Sequence, residues 1–139
     1  MKLVKEIKSK EGEIHFRRWA IIETKYFSAY IHEIFAEDRD LHLHNHPWHI
    51  FTLILSGVYL EQLEDKKFVT RSRFSMAFRT RKVFHKIHSL FEPKVKTLAL
   101  CFGARKPWGY KLEDGTIISN PDYRARKHTA GYEFINHRK

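Results

Sequence analysis

The feature that most constrains this chain is the rhythm of its β-forming residues. Residues 13–23, 26–35, 50–55, 58–63, 68–73, 75–78, 83–90, 96–102 and 109–112 are short stretches rich in Val, Ile, Thr, Phe, Tyr and Trp. Several alternate apolar with polar residues, the period of a half-buried strand. Turn signals separate them: Ser56-Gly57, residues 64–67, and Glu113-Asp114-Gly115, the last a hairpin turn into residues 116–119. No window carries a long apolar stripe at helical spacing, and only residues 1–10 leave room for a short helix. Many short strands at regular spacing lead to a β-sandwich or a closed barrel.

A chain of 139 residues with 42% hydrophobic content, including eleven Phe and six Tyr, supports one core, so residues 1–139 are read as a single domain. The lone cysteine, Cys101, lies in the apolar stretch LALCF and is read as an inert buried thiol. One cysteine excludes an intrachain disulfide framework and a thiolate zinc cluster, and it fits a reducing compartment. The formal charge of +10 makes nucleic acid or small anions plausible partners. The basic residues are scattered, however, and a solvated basic surface is the plainer reading. The N-terminus lacks the apolar run of a secretory signal, and no segment approaches the length of a membrane span. A soluble, cytoplasmic protein with no membrane partner is expected. After Pro121 the chain turns basic and less patterned, which reads as a C-terminal extension over about 121–139, packed through Tyr123, Tyr132 and Phe134.

Chemistry concentrates in the histidines. His42, His44 and His46 alternate, so on a strand they share one face. Two imidazoles two residues apart can hold one ion from the same side, and neutral imidazole suits Zn, Fe, Ni or Cu. Three in alternation, followed by Pro47-Trp48 and an apolar strand, weigh for a metal site over a plain histidine cluster. His42 would lie a step further along the strand, about 7 Å from His44, and is read as a pocket residue. His49 has the opposite parity to His46 and is read as structural or exposed; His15, His32, His128 and His137 lack a partner pattern. Tyr59 and Glu61 share a face beyond Gly57. If they point inward, Glu61 is a candidate general base or fourth ligand; a cross-strand surface pair is the equal alternative. Arg79 and Arg81 share parity and can serve an anionic substrate group at a barrel mouth or form a solvated edge. Trp48, Trp108 and Tyr110 either line a pocket or pack the core.

These residues resemble the cupin superfamily. His44 and His46 match the paired histidines of the first cupin motif, Gly57 falls on its glycine, and Ile50 stands where the motif has a glutamate. His85, in the stretch Val83-Phe84-His85-Lys86-Ile87-His88, matches the histidine of the second motif. Phe74, Thr80 and Lys82 replace that motif's Gly and Pro, and Ser89 its trailing Asn. The resemblance implies an all-β fold, the double-stranded β-helix or jelly-roll barrel, with its core over about 26–110 and short N- and C-terminal extensions. More narrowly, the chain is similar to small cupin-like proteins, some phage-borne. The shared residues are the HNHPW stretch at 44–48, Gly57 with Tyr59 and Glu61, residues 85–87, and Trp108 to Tyr110.

The resemblance also implies a metal shell of His44, His46 and a third histidine. His85, Ile87 and Ser89 share one face of their strand, while Lys86 and His88 share the other. An inward face should be apolar apart from the ligand, which favours His85; a bulge would admit His88. With Ile50 in place of the acidic ligand, the site resembles the three-His iron site of thiol dioxygenase cupins. The expected function is a metal-dependent enzyme, a non-haem Fe(II) dioxygenase acting on a small polar or anionic substrate. Glu61 and Tyr59 would be catalytic, and His42, Arg79, Arg81 and Trp48 would face substrate. Zn, Ni or Mn in the same site would suit a zinc-hydroxide hydrolase or a sugar isomerase-type cupin. A metal-stabilised nucleic-acid or nucleotide binding module is a further alternative, whose affinity would fall with salt. Cupins commonly pair through sheet edges, so a homodimer is expected by analogy.

Overall fold

Residues 1–38 and 42–129 are described by a computed structural model. Their strands form two six-stranded sheets. In the first, β1 (Lys2–Lys8), β2 (Ile14–Glu23), β3 (Phe27–Ile34), β10 (Val95–Phe102), β5 (His49–Ser56) and β8 (Met76–Arg79) are neighbours in that order, all antiparallel. In the second the order is β12 (Ile117–Ser119), β11 (Gly109–Lys111), β4 (Leu43–His44), β9 (His85–Leu90), β6 (Tyr59–Leu63) and β7 (Phe68–Arg71). From β3 to β11 the chain passes from sheet to sheet at each step, except for the β6–β7 hairpin. This alternation is the double-stranded β-helix, the cupin-type jelly roll.

Period two decides what lies between the sheets. Phe16, Arg18 and Ala20 of β2 stand opposite Ile34, His32 and Tyr30 of β3. Those three stand opposite Val95, Thr97 and Ala99 of β10. One apolar cluster joins Ala20, Tyr30, Ile50, Ala99 and Cys101, with Trp48 packed against it. A second joins Ile34, Ile54, Tyr59 and Val95. At the end of β5 the chain turns at Gly57 with φ +88°, where a Cβ would lie 2.5 Å from the Lys94 carbonyl oxygen. Only glycine meets both demands.

The two ends depart from expectation. Residues 1–10 contribute a strand rather than a short helix: charged and apolar residues alternate along β1, which pairs with the edge of β2. The start of the C-terminal extension is a helix, α1 (Asn120–Thr129). Pro121 sits in its first turn, and the Ser119 hydroxyl accepts from the Asp122 amide at 3.3 Å, so both start signals are local. Tyr123 anchors α1, fully buried and stacked on Tyr110 with ring centroids 3.8 Å apart. Tyr132, Phe134 and His137 lie outside the described residues, as does Leu41. The strand expected over 41–46 is regular only at Leu43–His44.

Candidate metal centre

β4 lies between β11 and β9, which sets His44 directly opposite Tyr110 on one side and His85 on the other. His46 lies beyond the end of β4, and Asn45 holds the chain where it leaves the strand. The Asn45 amide donates to the Gly109 carbonyl at 3.1 Å, and its side-chain oxygen accepts from the Gly109 amide at 2.8 Å. Its Nδ2 donates to the Arg81 carbonyl at 2.9 Å. Gly109 is pressed against β12, where a Cβ would lie 2.2 Å from the Ile118 carbonyl oxygen. The residue between the two histidines is thus the clamp that aims them.

His44, His46 and His85 converge. Each offers one nitrogen, and the three nitrogens lie within 4.8 Å of one another. The Nε2 atoms of His46 and His85 are 2.7 Å apart. Behind His85, its Nδ1 is 2.6 Å from Oε2 of Glu61, whose side chain is 0% exposed. Arg71 donates to Oε1 at 2.9 Å, and Arg79 reaches across from the opposite sheet to the same oxygen. Burial pushes the Glu61 carboxyl up, but the hydrogen bond from His85 and the charge of Arg79 outweigh it and bring the group to about 2. Glu61 is therefore ionised and accepts the Nδ1 proton of His85. That contact turns the Nε2 of His85 toward the cluster. Burial, then His85 and His44, hold His46 well below the usual histidine range, so it is neutral.

Other candidates stand elsewhere than expected. Glu61 does not face the cluster as a base or fourth ligand: both of its oxygens are engaged, and it orients His85 from behind. Tyr59 is 5% exposed and packs with Ile34, Ile54 and Val95; burial, then the Glu61 charge, pushes its hydroxyl up to about 12. Arg79 is bound to Glu61 and reaches the Thr52 hydroxyl at 3.4 Å, so it does not stand at a mouth. Arg81 donates to the carbonyls of Pro47 at 3.1 Å and Ala104 at 2.6 Å, and its Nη1 is 2.9 Å from His49 Nε2. It ties down the segment that follows His46, and His49 is structural. His42 is not one of the three converging histidines and meets the Tyr123 hydroxyl at 3.0 Å, fastening α1 to the barrel. His88 is exposed and meets Phe68 edge-on, with centroids 5.2 Å apart. Lys86, expected in solvent, is only 4% exposed, so the face of β9 opposite His85 is covered at Lys86 and open at His88. Trp108 and Tyr110 stand edge-on to His44, with centroids 6.3 and 6.1 Å away.

Arg18 was not expected at the site. It lies on the inward face of β2, donates from Nε to His32 Nε2 at 3.0 Å, and sits 4.8 Å over the Tyr30 ring. Its charge also acts on His46. The signal was in the sequence: Arg18 shares parity with Phe16 and Ala20, the apolar side of its strand. A cavity of about 370 Å³ lined by Arg105, Lys106, Pro107, Trp108, Asn120 and Pro121 lies against Trp108, and none of the three histidines lines it.

No protein-family model matches the chain, and no curated protein matches it. Solved structures do. Fe(II) HppE superposes with a TM-score of 0.58 at 16% identity, over 70% of this chain and 56% of that one. A mannose-6-phosphate isomerase-like protein from Ralstonia eutropha JMP134 gives 0.58 at 12% identity, over 64% of this chain and 85% of that one. An RmlC-like cupin protein from Desulfovibrio desulfuricans gives 0.50 at 14% identity, over 63% and 82%. The chain thus spans little more than half the length of HppE. What they share with it is the cupin jelly-roll fold. Among the described residues, no helix is long and apolar enough to cross a membrane.

Proposed function

We propose that His44, His46 and His85 hold a divalent metal ion, and that the protein is a metal-dependent enzyme of the non-haem Fe(II) dioxygenase class acting on a small anionic molecule. The observation that carries this reading is the three-nitrogen cluster backed by a buried carboxylate. Two imidazole nitrogens 2.7 Å apart lie within reach of one ion, since metal–nitrogen bonds of this kind are about 2.0–2.1 Å. His85 is held by Glu61 in the tautomer a ligand needs, and a carboxylate behind a ligating histidine is a recurrent support of metal sites. His46 is kept neutral, which ligation also requires.

An ion held by three neutral histidines keeps its full charge and leaves open positions for a chelating substrate and dioxygen. The protein's own residues set the rest. Glu61 fixes the ring of His85, while Arg71 and Arg79 keep Glu61 ionised and immobile. Trp108 and Tyr110 wall the His44 edge and limit water there. Because both Glu61 oxygens are engaged, the site suits a reaction at open coordination positions better than one that needs that carboxylate as a base. Fe(II) HppE, which has the same fold, is a solved structure with iron in that oxidation state, and this favours iron over zinc.

Elemental analysis of the purified protein, followed by oxygen-uptake assays with small carboxylates and phosphonates, tests the proposal. Iron, with oxygen uptake that disappears on chelation, is the expected result. Full occupancy by zinc with no oxygen uptake overturns the dioxygenase assignment and directs attention to hydrolysis or isomerisation.

A further inference from the structure

Around Trp48 the structure gathers cations that make no ion pair among the described residues. Arg18 is partly buried, and its guanidinium lies 5.9 Å from the Trp48 ring. Arg105, from the segment after β10, covers the same ring at 5.1 Å. Lys5 of β1 approaches from the side: it shares the Phe16 ring with Arg18, at 6.0 and 5.8 Å. Lys5 is exposed along β1, yet partial desolvation of its ammonium, then the charges of Arg18, Arg124 and Arg105, hold it below the usual lysine range. Two strands and the segment after β10 thus send positive charge to one place. Among the described residues no carboxylate comes within ion-pair distance of Lys5, Arg18 or Arg105. Glu23 is the acid whose charge reaches Arg18, and it accepts the Tyr30 hydroxyl at 2.7 Å. The hydrogen bond that Arg18 does make, to neutral His32, brings no negative charge. Trp48 adds a donor: its Nε1 is buried with no acceptor.

A desolvated guanidinium without an anion and a buried N–H without an acceptor are both costly to fold. Both are satisfied by one kind of guest, an oxyanion. We infer that Trp48, with the Arg18 and Arg105 guanidiniums over its ring and Lys5 paired with Arg18, marks a subsite for the oxyanion group of the substrate, a carboxylate, phosphate or phosphonate. The inference rests on the metal-site reading and sharpens its substrate class. Trp48 follows His46 by two residues and packs against the Ala20, Tyr30 and Ile50 cluster inside the barrel, so the anionic group would sit near the open metal positions. The substrate is therefore a short molecule with a chelating end and an oxyanion end. Arginine's fork and an indole N–H recognise tetrahedral and planar oxyanions alike, and the formal charge of +10 assists capture.

The test is calorimetric titration of inorganic phosphate into the wild-type protein and the Arg18→Gln, Arg18→Lys and Arg105→Gln variants, each metal-free and metal-loaded. Arg73→Gln, which removes a cation stacked on exposed Phe74, is the control. Arg105 is exposed, so its variant tests the subsite without disturbing the core. Arg18→Gln and Arg105→Gln are each expected to weaken phosphate binding roughly tenfold or more, with Arg18→Lys between them and wild type and the control unchanged. With Mn(II) in the site, the phosphorus resonance of bound phosphate should broaden, and Arg105→Gln should relieve the broadening. Absence of phosphate binding by wild type, or wild-type affinity in both Arg18→Gln and Arg105→Gln, overturns the subsite. If the protein takes up no metal, the functional reading fails, and the metal-free titrations still decide the subsite.

Discussion

Replacing Glu61 by Gln keeps the shape of the side chain and removes its charge. The charge left behind is Arg79, whose side chain is 5% exposed and which crosses the barrel to reach a fully buried carboxylate. Arg71 is less confined, with 19% of its side chain exposed, and can turn toward water. Removing one partner of a buried ion pair costs about 3–5 kcal/mol, chiefly through the cation it strands. An independent scale agrees: a carboxyl brought from 4.5 to about 2 is stabilised in its charged form by roughly 3 kcal/mol. Urea denaturation of the metal-free protein, followed by far-UV circular dichroism, measures the loss directly, and an unchanged m value shows that the unfolded state is the same. Glu61→Gln should lose about 3–5 kcal/mol, lowering Tm by roughly 10–15 °C. The double variant Glu61→Leu with Arg79→Met strands no charge in the barrel and should recover most of that loss. A Glu61→Gln protein within about 1 kcal/mol of wild type, or a double variant no more stable than the single one, would refute the reasoning.

His32 offers a pH test. Burial, then Arg18 and Lys5, hold it well below 6.5, so the unfolded chain binds a proton that the folded chain refuses. Its contribution to stability is complete above pH 6.5 and declines as the pH falls below that value, by up to about 1.4 kcal/mol per pH unit. His32→Gln should flatten the slope of stability between about pH 7 and about pH 5, and an unaltered slope would count against the assignment. Gly57→Ala meets both a positive φ and a backbone oxygen 2.5 Å from the new Cβ, so it should cost more than about 1 kcal/mol in urea; a neutral result would contradict the turn geometry. Cys101 is 3% exposed, and burial pushes its thiol up to about 12, so a thiol reagent should label it only after unfolding. Prompt labelling of the native protein would show that the β10 core is open.

The strands were legible because their residues carry period two themselves. β1 was less so: its alternating charged and apolar residues are all exposed, and only the ladder with β2 makes it a strand. α1 was obscured because, among its described side chains, only Tyr123 is buried, in an otherwise polar segment. In the candidate centre, alternation singled out His44 and His46, and spacing singled out His85. On the face of β9 opposite His85, Lys86 is buried while His88 is exposed, so a lysine there does not by itself mark the solvent side. The setting of Glu61 depends on the pairing of β6 with β9, where the register shifts between Leu60 and Glu61, and on an arginine from the opposite sheet. No local pattern encodes that. The β1–β2 hairpin sets Lys5 opposite Arg18, but Arg105 is far from both in sequence, and only the folded barrel brings it and Arg18 to Trp48.

The central claim is that three histidines hold one ion. Metal content per chain, measured by elemental analysis on wild type and on His44→Ala, His46→Ala and His85→Ala, tests it most directly. Circular dichroism on the same samples reports the fold. The account predicts one divalent ion per wild-type chain and its loss from each variant while the β-sheet spectrum is retained. Full metal occupancy in any of the three variants would contradict it.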